Sequence, residues 1–393
     1  MFCCNRGELD VTFDRRGENQ LSLLPIVALL QAHIPTVAHP VVTDIFKPLG
    51  TPAELAKTAA LLVNYVCLGI FIVVAGLIAY AIFRYRQKPG EDVHQEPAQV
   101  YGSNQIEIAW TIIPILIVFV LTGVTARIIA ATQDAKLPKS AIKVTVVGHQ
   151  WWWEYRYPDL GIVTADEMHI PVSDGSESNA VDITEQSVDV DHSFWVPELT
   201  GKTDVLPNRD NHMWLDAHKP GTYLGNCTEY CGTQHANMLI RVIAQPKAEF
   251  DKWVANQQKL AVGANGYGTG AANASASAGG VHLQNVSMGA GAEAELGGVP
   301  ISRLTEDKRV FESLSCVNCH TVKGTPAIGK FGPDLTHLAS RSTIASGMIS
   351  NTAADLRAWV DDPQTVKPGC LMPSMKLTDK QLDQVVEYLQ SLK

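Results

Sequence analysis

The chain has 393 residues, too many for one ordinary domain, and 46% of them are hydrophobic. Its 40 acidic and 31 basic residues leave a formal charge of −9, which gives no reason to propose nucleic-acid binding and suits a basic soluble partner. The eight cysteines are no disulfide framework. Four fall into two tight motifs, Cys67 sits in an apolar run, Cys370 is isolated, and Cys3 and Cys4 stand at the extreme N-terminus.

Residues 1–50 form an N-terminal segment. Within it Leu21–Leu30 is too short to span a bilayer and resembles the core of a secretory signal. The charges ahead of that run are mixed (Arg6, Glu8, Asp10, Asp14, Arg15, Arg16, Glu18), unlike the start of a good signal. A cleaved signal peptide is the expectation, with a misassigned start or an interfacial segment as the alternatives.

Residues 51–135 read as a transmembrane helical hairpin. The run at about 58–83 carries no charge, and the run at about 108–131 carries only Arg127, near its end where it can snorkel. Arg84, Arg86 and Lys88 begin the connection, and positive charge on a short loop places it in the cytoplasm. Both ends of the hairpin, and everything after about residue 132, then lie outside.

Residues 140–250 read as all-β. Ile142–Val147 alternates, and turn signals such as Pro158-Asp159 and Pro220-Gly221 punctuate short runs rich in Val, Ile and Thr, which fits a small sandwich or barrel. Inside it, Cys227, Cys231, His235 and Met238 lie within twelve residues. Two thiolates and an imidazole alone leave a zinc loop or a disulfide open. A thioether seldom serves zinc and recurs beside Cys and His in copper electron-transfer sites, so the set favours copper. His192, on a separate strand, is the best candidate for a further ligand, although a lone strand histidine is more often structural.

Three strings together resemble subunit II of the haem–copper cytochrome c oxidases: Gly148–Tyr155 (GHQWWWEY), Asp191–Pro197 (DHSFWVP) and Gly225–Met238 (GNCTEYCGTQHANM). The resemblance covers about residues 55–250 and implies a two-helix hairpin followed by a cupredoxin-like domain. Trp152 stands where that family often has Tyr, a departure that touches no ligand. The resemblance further implies a binuclear copper centre, CuA. In it Cys227 and Cys231 bridge both ions, His192 and His235 are terminal ligands, and Met238 and the carbonyl of Glu229 are weak ones. The Glu229 side chain would reach a magnesium ion shared with subunit I. Trp151 would be the exposed ring through which electrons enter, and Glu107 the carboxylate at the mouth of a proton path. His149, His169, His212 and His218 match no ligand position and are read as structural.

Residues 261–300 are rich in Gly, Ala, Ser and Asn and read as a flexible linker that lets the C-terminal domain move. Residues 301–393 carry Cys316-Val-Asn-Cys319-His320, the C-x-x-C-H attachment signature of a covalent c-type haem with His320 as proximal ligand. A capped helix is expected from Thr305, and another from Thr378 to Leu392 with apolar spacing at Leu382, Val385, Val386 and Leu389. With Gly332-Pro333-Asp334-Leu335 and Leu371-Met372-Pro373 between them, this part resembles an all-α class I cytochrome c domain. That resemblance implies Met372 as the sixth iron ligand, with Met375 the alternative and Met348 more a core residue, and Pro333 as carbonyl partner of the proximal imidazole.

The whole chain then reads as the electron-accepting subunit of a proton-pumping terminal oxidase in a bacterial plasma membrane, its copper and haem domains on the outer face. Expected partners are oxidase subunit I and the other oxidase subunits, cytochrome c or a quinol–cytochrome c reductase as donor, and membrane lipid. The alternative enzyme is a nitric oxide reductase with a CuA subunit. A copper carrier is disfavoured because it has no use for a covalent haem.

Overall fold

The structure, a computed structural model, describes residues 44–87, 89–90, 99, 102–133, 135–173, 179–261, 295–296 and 299–393. The expected signal run at Leu21–Leu30 and nearly all of the linker lie outside the described residues.

Helices α1 (Thr51–Arg84) and α2 (Asn104–Gln133) are longer than the apolar runs that mark them. Gly50 caps α1 in an extended conformation, Pro52 stands in its first turn, and Glu54 complements the positive end of the helix dipole. Both helices are apolar all round and turn residues such as Phe71, Leu77, Phe83, Ile113 and Phe119 outward, as lipid-facing spans do. The start of α1 is tied to the β domain, where Thr51 donates from its backbone N–H and its hydroxyl to the Asp216 carboxylate, both at 2.7 Å. Glycine is required just before it, because a Cβ on Gly50 would lie 2.4 Å from the Leu199 carbonyl oxygen.

The β domain is a sandwich of two five-stranded sheets. Its strands are β1 (Ile142–His149), β2 (Trp152–Tyr157), β3 (Ile162–Ala165), β4 (Glu167–Pro171), β5 (Val181–Ser187), β6 (His192–Trp195), β7 (Lys202–Val205), β8 (Asn211–Leu215), β9 (Gly221–Cys227) and β10 (Leu239–Gln245). One sheet runs in the order β3-β2-β1-β5-β8 and the other β4-β10-β9-β6-β7, with β1–β5 and β4–β10 parallel. Period-two alternation aims Val181 and Ile183 of β5, and Ile240, Val242 and Ala244 of β10, into the core. Trp153, Tyr155, Tyr157, Phe194 and Met168 fill it. One helix here has no sequence expectation: α3 (Lys247–Gln257), which comes after Pro246 and stacks Trp253 on His169 with centroids 4.4 Å apart.

Glu185 breaks the apolar pattern of β5. Its carboxyl is buried with no hydrogen-bond partner among the described residues, and burial first, then Asp204, push its pKa well above the ordinary value of 4.5. The folded state therefore holds the proton more tightly than the unfolded chain. Stability is full below the ordinary value and is lost as pH rises from there toward the raised one. Glu185→Gln is expected to remove this loss, so the variant's advantage over wild type grows by about 1.4 kcal/mol per pH unit across that window. Chemical denaturation of the full chain at several pH values measures it, and a difference that does not change with pH would contradict the assignment.

The last domain is helical: α4 (Ile301–Ser313), α5 (Cys316–Cys319), α6 (Ala353–Asp361), α7 (Pro363–Val366) and α8 (Asp379–Ser391). Helix α4 begins at Ile301, after Pro300 and without a side-chain cap, so Thr305 is not the capping residue the sequence suggested. Pro300, placed where no intrahelical donor is needed, sets the start instead. Helix α8 has the expected N-cap at Thr378, which forms a capping box with Gln381, and packs on α4 through Tyr388 and Phe311, centroids 5.0 Å apart. Thr378→Ala should cost about 1 kcal/mol in denaturant midpoint experiments.

The helical domain does not hang free, contrary to the mobility expected of the linker. The buried Glu167 of β4 accepts hydrogen bonds from the backbone N–H and hydroxyl groups of both Ser342 and Thr343, and Asp166 accepts from the Ser346 N–H at 3.2 Å. At the start of the expected linker, Ala261 is buried in the helical domain's core, and the Lys259 carbonyl lies 3.1 Å from His337 Nε2. Buried hydrogen bonds between the two domains oppose the motion expected of them.

Candidate copper centre and haem pocket

Strand register brings the copper candidates together. Phe194 of β6 pairs with Cys227 at the end of β9, which sets His192 beside the loop that returns through a short 3₁₀ turn at His235–Asn237 to β10. His192 Nδ1 lies 3.9 Å from Cys227 Sγ, and His235 Nδ1 lies 3.6 Å from Cys231 Sγ. The two sulfurs are 3.8 Å apart, Met238 Sδ is 3.8 Å from Cys231 Sγ, and the Glu229 carbonyl is 3.2 Å from Cys227 Sγ. That separation of the two sulfurs is far beyond a disulfide bond. His192, Cys227 and Cys231 are also the one group of three or more His, Cys, Asp or Glu side chains among the described residues that could hold a metal ion.

The donor set fits copper. Two thiol sulfurs stand side by side, each with an imidazole nitrogen near it, and a thioether and a carbonyl adjoin them, all soft or weak donors. The two thiols also share protons unequally. The neighbouring Cys231 thiol, against the cost of burial and with help from His192, pulls Cys227 down to about 4, while the same contact pushes Cys231 up. Metal binding requires both as thiolates and so releases the remaining proton.

A residue without a role in the sequence reading completes the site. The Asp189 carboxylate is 2.8 Å from His192 Nε2, which leaves Nδ1 turned to the sulfurs. Such a carboxylate behind a histidine ligand fixes its orientation and basicity. Its only sequence signal was an acidic residue three positions before the histidine. Gly148 makes room for the ring, since a Cβ there would come within 2.7 Å of His192 Cδ2.

Trp151 donates its indole N–H to the Cys231 carbonyl at 2.9 Å, and the Gln150 side chain donates to the same oxygen at 2.7 Å. The expected exposed ring is instead buried, only 9% accessible, because the helical domain lies over it. Trp152 stacks on His149, centroids 4.0 Å apart, and Trp153 is core. The other histidines have structural neighbours: His149 contacts Glu154, His169 contacts Gln245, His212 contacts Thr184, and His218 contacts Thr51 and Asp216. The Glu229 side chain is exposed. Glu107 stands in the first turn of α2, the end of the hairpin away from the β domain, and nothing brings it near the sulfurs.

The helical domain encloses a cavity of about 430 Å³ whose walls include Cys316, Cys319, His320, Met372 and Met375. The walls fit a large, flat, mostly apolar group held covalently on one side. The two thiols belong to the first and last residues of one short helix, and His320 Nδ1 lies 2.8 Å from the Pro333 carbonyl, which leaves its other nitrogen for iron. Burial first of all lowers the pKa of His320 and keeps it neutral, as a ligand must be. Gly332 is required beside the ring, because a Cβ there would sit 2.6 Å from His320 Cε1. Met348 does not line the cavity and packs against the helical core. Gln150, Trp151 and Trp152 of the β domain complete the wall.

Known proteins match each part in the same order. A family model described as the transmembrane domain of cytochrome c oxidase subunit II matches residues 54–127, one for the periplasmic domain of that subunit matches 176–245, and a cytochrome c model matches 305–393. The cytochrome c oxidase subunit 2 of Alkalihalophilus pseudofirmus is 33% identical over 352 residues, covering 88% of this chain and 90% of the relative. That of Bacillus subtilis is 26% identical over 390 residues, covering 94% and 97%. Among solved structures, the periplasmic domain of subunit II of cytochrome oxidase from Bradyrhizobium japonicum is 30% identical at a TM-score of 0.29, covering 31% of this chain and 96% of that one. Hairpin, copper-type β domain and C-x-x-C-H domain thus coincide with relatives that span most of the chain, and the protein belongs to the cytochrome c oxidase subunit II family, with a cytochrome c domain on the same polypeptide.

Proposed function

We propose that this chain is the electron-accepting subunit of a terminal cytochrome c oxidase in a bacterial plasma membrane, with both folded domains on the outer face. Reduced cytochrome c or a quinol–cytochrome c reductase delivers electrons to the cytochrome domain, and they leave by the copper loop toward subunit I, where oxygen is reduced to water with proton pumping. Bound copper and haem supply the one-electron couples. The chain's residues hold and orient them: Cys316 and Cys319 for covalent attachment, His320 and Met372 for iron, and His192, Cys227, Glu229 through its carbonyl, Cys231, His235 and Met238 for a binuclear CuA. The exposed Glu229 carboxylate is left for a magnesium ion whose remaining ligands belong to subunit I. Glu107, at the cytoplasmic end of α2, stands where a proton enters from that side.

The observation that carries the reading is the double role of Trp151. Its ring forms part of the wall of the haem cavity and its indole N–H is bonded to the carbonyl of Cys231, so one side chain touches both sites. The test is to purify the whole complex and record optical and EPR spectra together with oxygen uptake. A covalent c-type haem, a mixed-valence copper signal and uptake with reduced cytochrome c are expected. Absence of the copper signal, or of the uptake, would sink the proposal.

A further inference from the structure

Lys367 is a lysine buried to 3% accessibility at an interface between two domains, on the wall of the haem cavity but outside both ligand sets. It lies at the C-terminal end of α7, five positions before Met372. Its ammonium group donates to the carbonyl of Trp151 at 2.8 Å and to that of Asn237 at 2.9 Å, both in the β domain, and lies 3.5 Å from the carbonyl of Ala345 in its own. Asn237 immediately precedes the copper-ligand candidate Met238, and Trp151 bonds the Cys231 carbonyl. The next two residues continue the contact. Pro368 accepts a hydrogen bond from the Gln234 side chain, and Gly369 lies so close to Thr233 that a Cβ would meet its Cγ2 at 3.0 Å. The segment leading to the iron-ligand candidate is thereby laid along the loop that carries the copper candidates.

We infer that Lys367 is a positioning residue that locks the cytochrome domain onto the copper loop, making that domain a fixed donor rather than a tethered shuttle. The inference rests on the proposed electron relay from haem to copper. A buried ammonium is tolerated only where its three N–H groups find acceptors, so any other docking register leaves the charge stranded in a dry interface. The acceptors supplied are backbone carbonyls, which cannot rotate away, and two of them belong to residues next to or bonded to the copper loop. Glu167, with its bonds to Ser342 and Thr343, holds the other side of the same interface. Between them the two contacts hold one domain against the other at two separate places.

The test uses the intact oxidase complex with three chains: wild type, Lys367→Met and Glu167→Gln. Lys367→Met keeps the stem and leaves two buried carbonyls without a donor. Glu167→Gln weakens the opposite contact without touching either cofactor site. The rate of electron transfer from haem to copper after flash reduction is read alongside amide hydrogen exchange of segments 148–153 and 231–238, the haem midpoint potential and the copper EPR spectrum. Because the observed rate scales with the docked fraction, Lys367→Met should lower it by roughly ten-fold or more and speed exchange in both segments. Lys367 lines the haem cavity, so loss of its charge should also lower the haem potential in Lys367→Met, whereas Glu167→Gln should leave potential and EPR spectrum at wild-type values. Glu167→Gln should move rate and exchange in the same direction, and the wild-type rate should not respond to salt, since the contacts are buried. An unchanged rate and unchanged exchange in both variants would overturn the inference while leaving the relay reading intact. A wild-type complex without the mixed-valence copper signal overturns the relay reading, and this inference with it.

Discussion

Cys227→Ser is expected to erase the mixed-valence copper signal of the purified complex and to cut oxygen uptake with reduced cytochrome c by roughly a hundred-fold or more. Losing only a partner behind a metal ligand typically costs about 10–100-fold, and Cys227 would itself be a ligand. The geometry explains why no neighbour can substitute. Its sulfur is 3.8 Å from Cys231 Sγ, 3.9 Å from His192 Nδ1 and 3.2 Å from the Glu229 carbonyl, the middle position of the donor set. A hydroxyl there is a harder donor that stays protonated at neutral pH. The β sandwich should survive, because its core rests on Trp153, Tyr155, Tyr157 and Phe194. The haem band should persist unchanged, since the Cys316–Cys319–His320 site lies on a separate domain. Retention of a full copper signal in this variant would rule out Cys227 as a ligand.

Met372→Leu is the second large expectation. His/Met ligation raises the haem potential, and the axial ligand is the protein's strongest control over it. Loss of the thioether should lower the midpoint by on the order of 0.1 V, which for a one-electron couple is about fifty-fold in equilibrium constant. The sign matters. A lower potential makes the haem a better donor to copper but a poorer acceptor from soluble cytochrome c. Haem-to-copper transfer should therefore survive while reduction by the external donor slows. Met375 lines the same cavity, so the paired variant Met375→Leu separates the two candidates. Redox titration followed at the haem band reads both, and the assignment fails if Met375→Leu, rather than Met372→Leu, shifts the midpoint.

Two parts of the site differ in how far sequence could reach them. Cys227, Cys231, His235 and Met238 lie on one short loop, and their chemistry is local: residue type and spacing identify a soft donor set before any fold is known. Cys316, Cys319 and His320 are legible for the same reason, as is the N-cap of α8. His192 is different. Its claim rests on family resemblance until the pairing of Phe194 with Cys227 places β6 beside β9. Asp189 went unnoticed because a carboxylate three residues from a histidine is common, and only the bend between β5 and β6 turns it back onto the ring at 2.8 Å. Helix α3 lacked a strong apolar period, and it is held by Trp253 against His169 and Tyr157, which are distant in sequence.

Whereas His192 and Met372 rested on family resemblance, the sequence by itself determined the membrane hairpin, the β and helical domains, and the ligand candidates that share one short motif. Those arise from unbroken apolar runs, alternation with period two, and motifs whose members are covalent near neighbours. Only the tertiary structure decided that Trp151 is buried, that Asp189 orients His192, and that Lys367 sits across the junction. Each of these depends on strand register or on the docking of one domain against another. Such contacts join groups as far apart as Trp151 and Lys367, and they are selected because a buried charge without its partner is strongly penalised, which no local pattern of residues records.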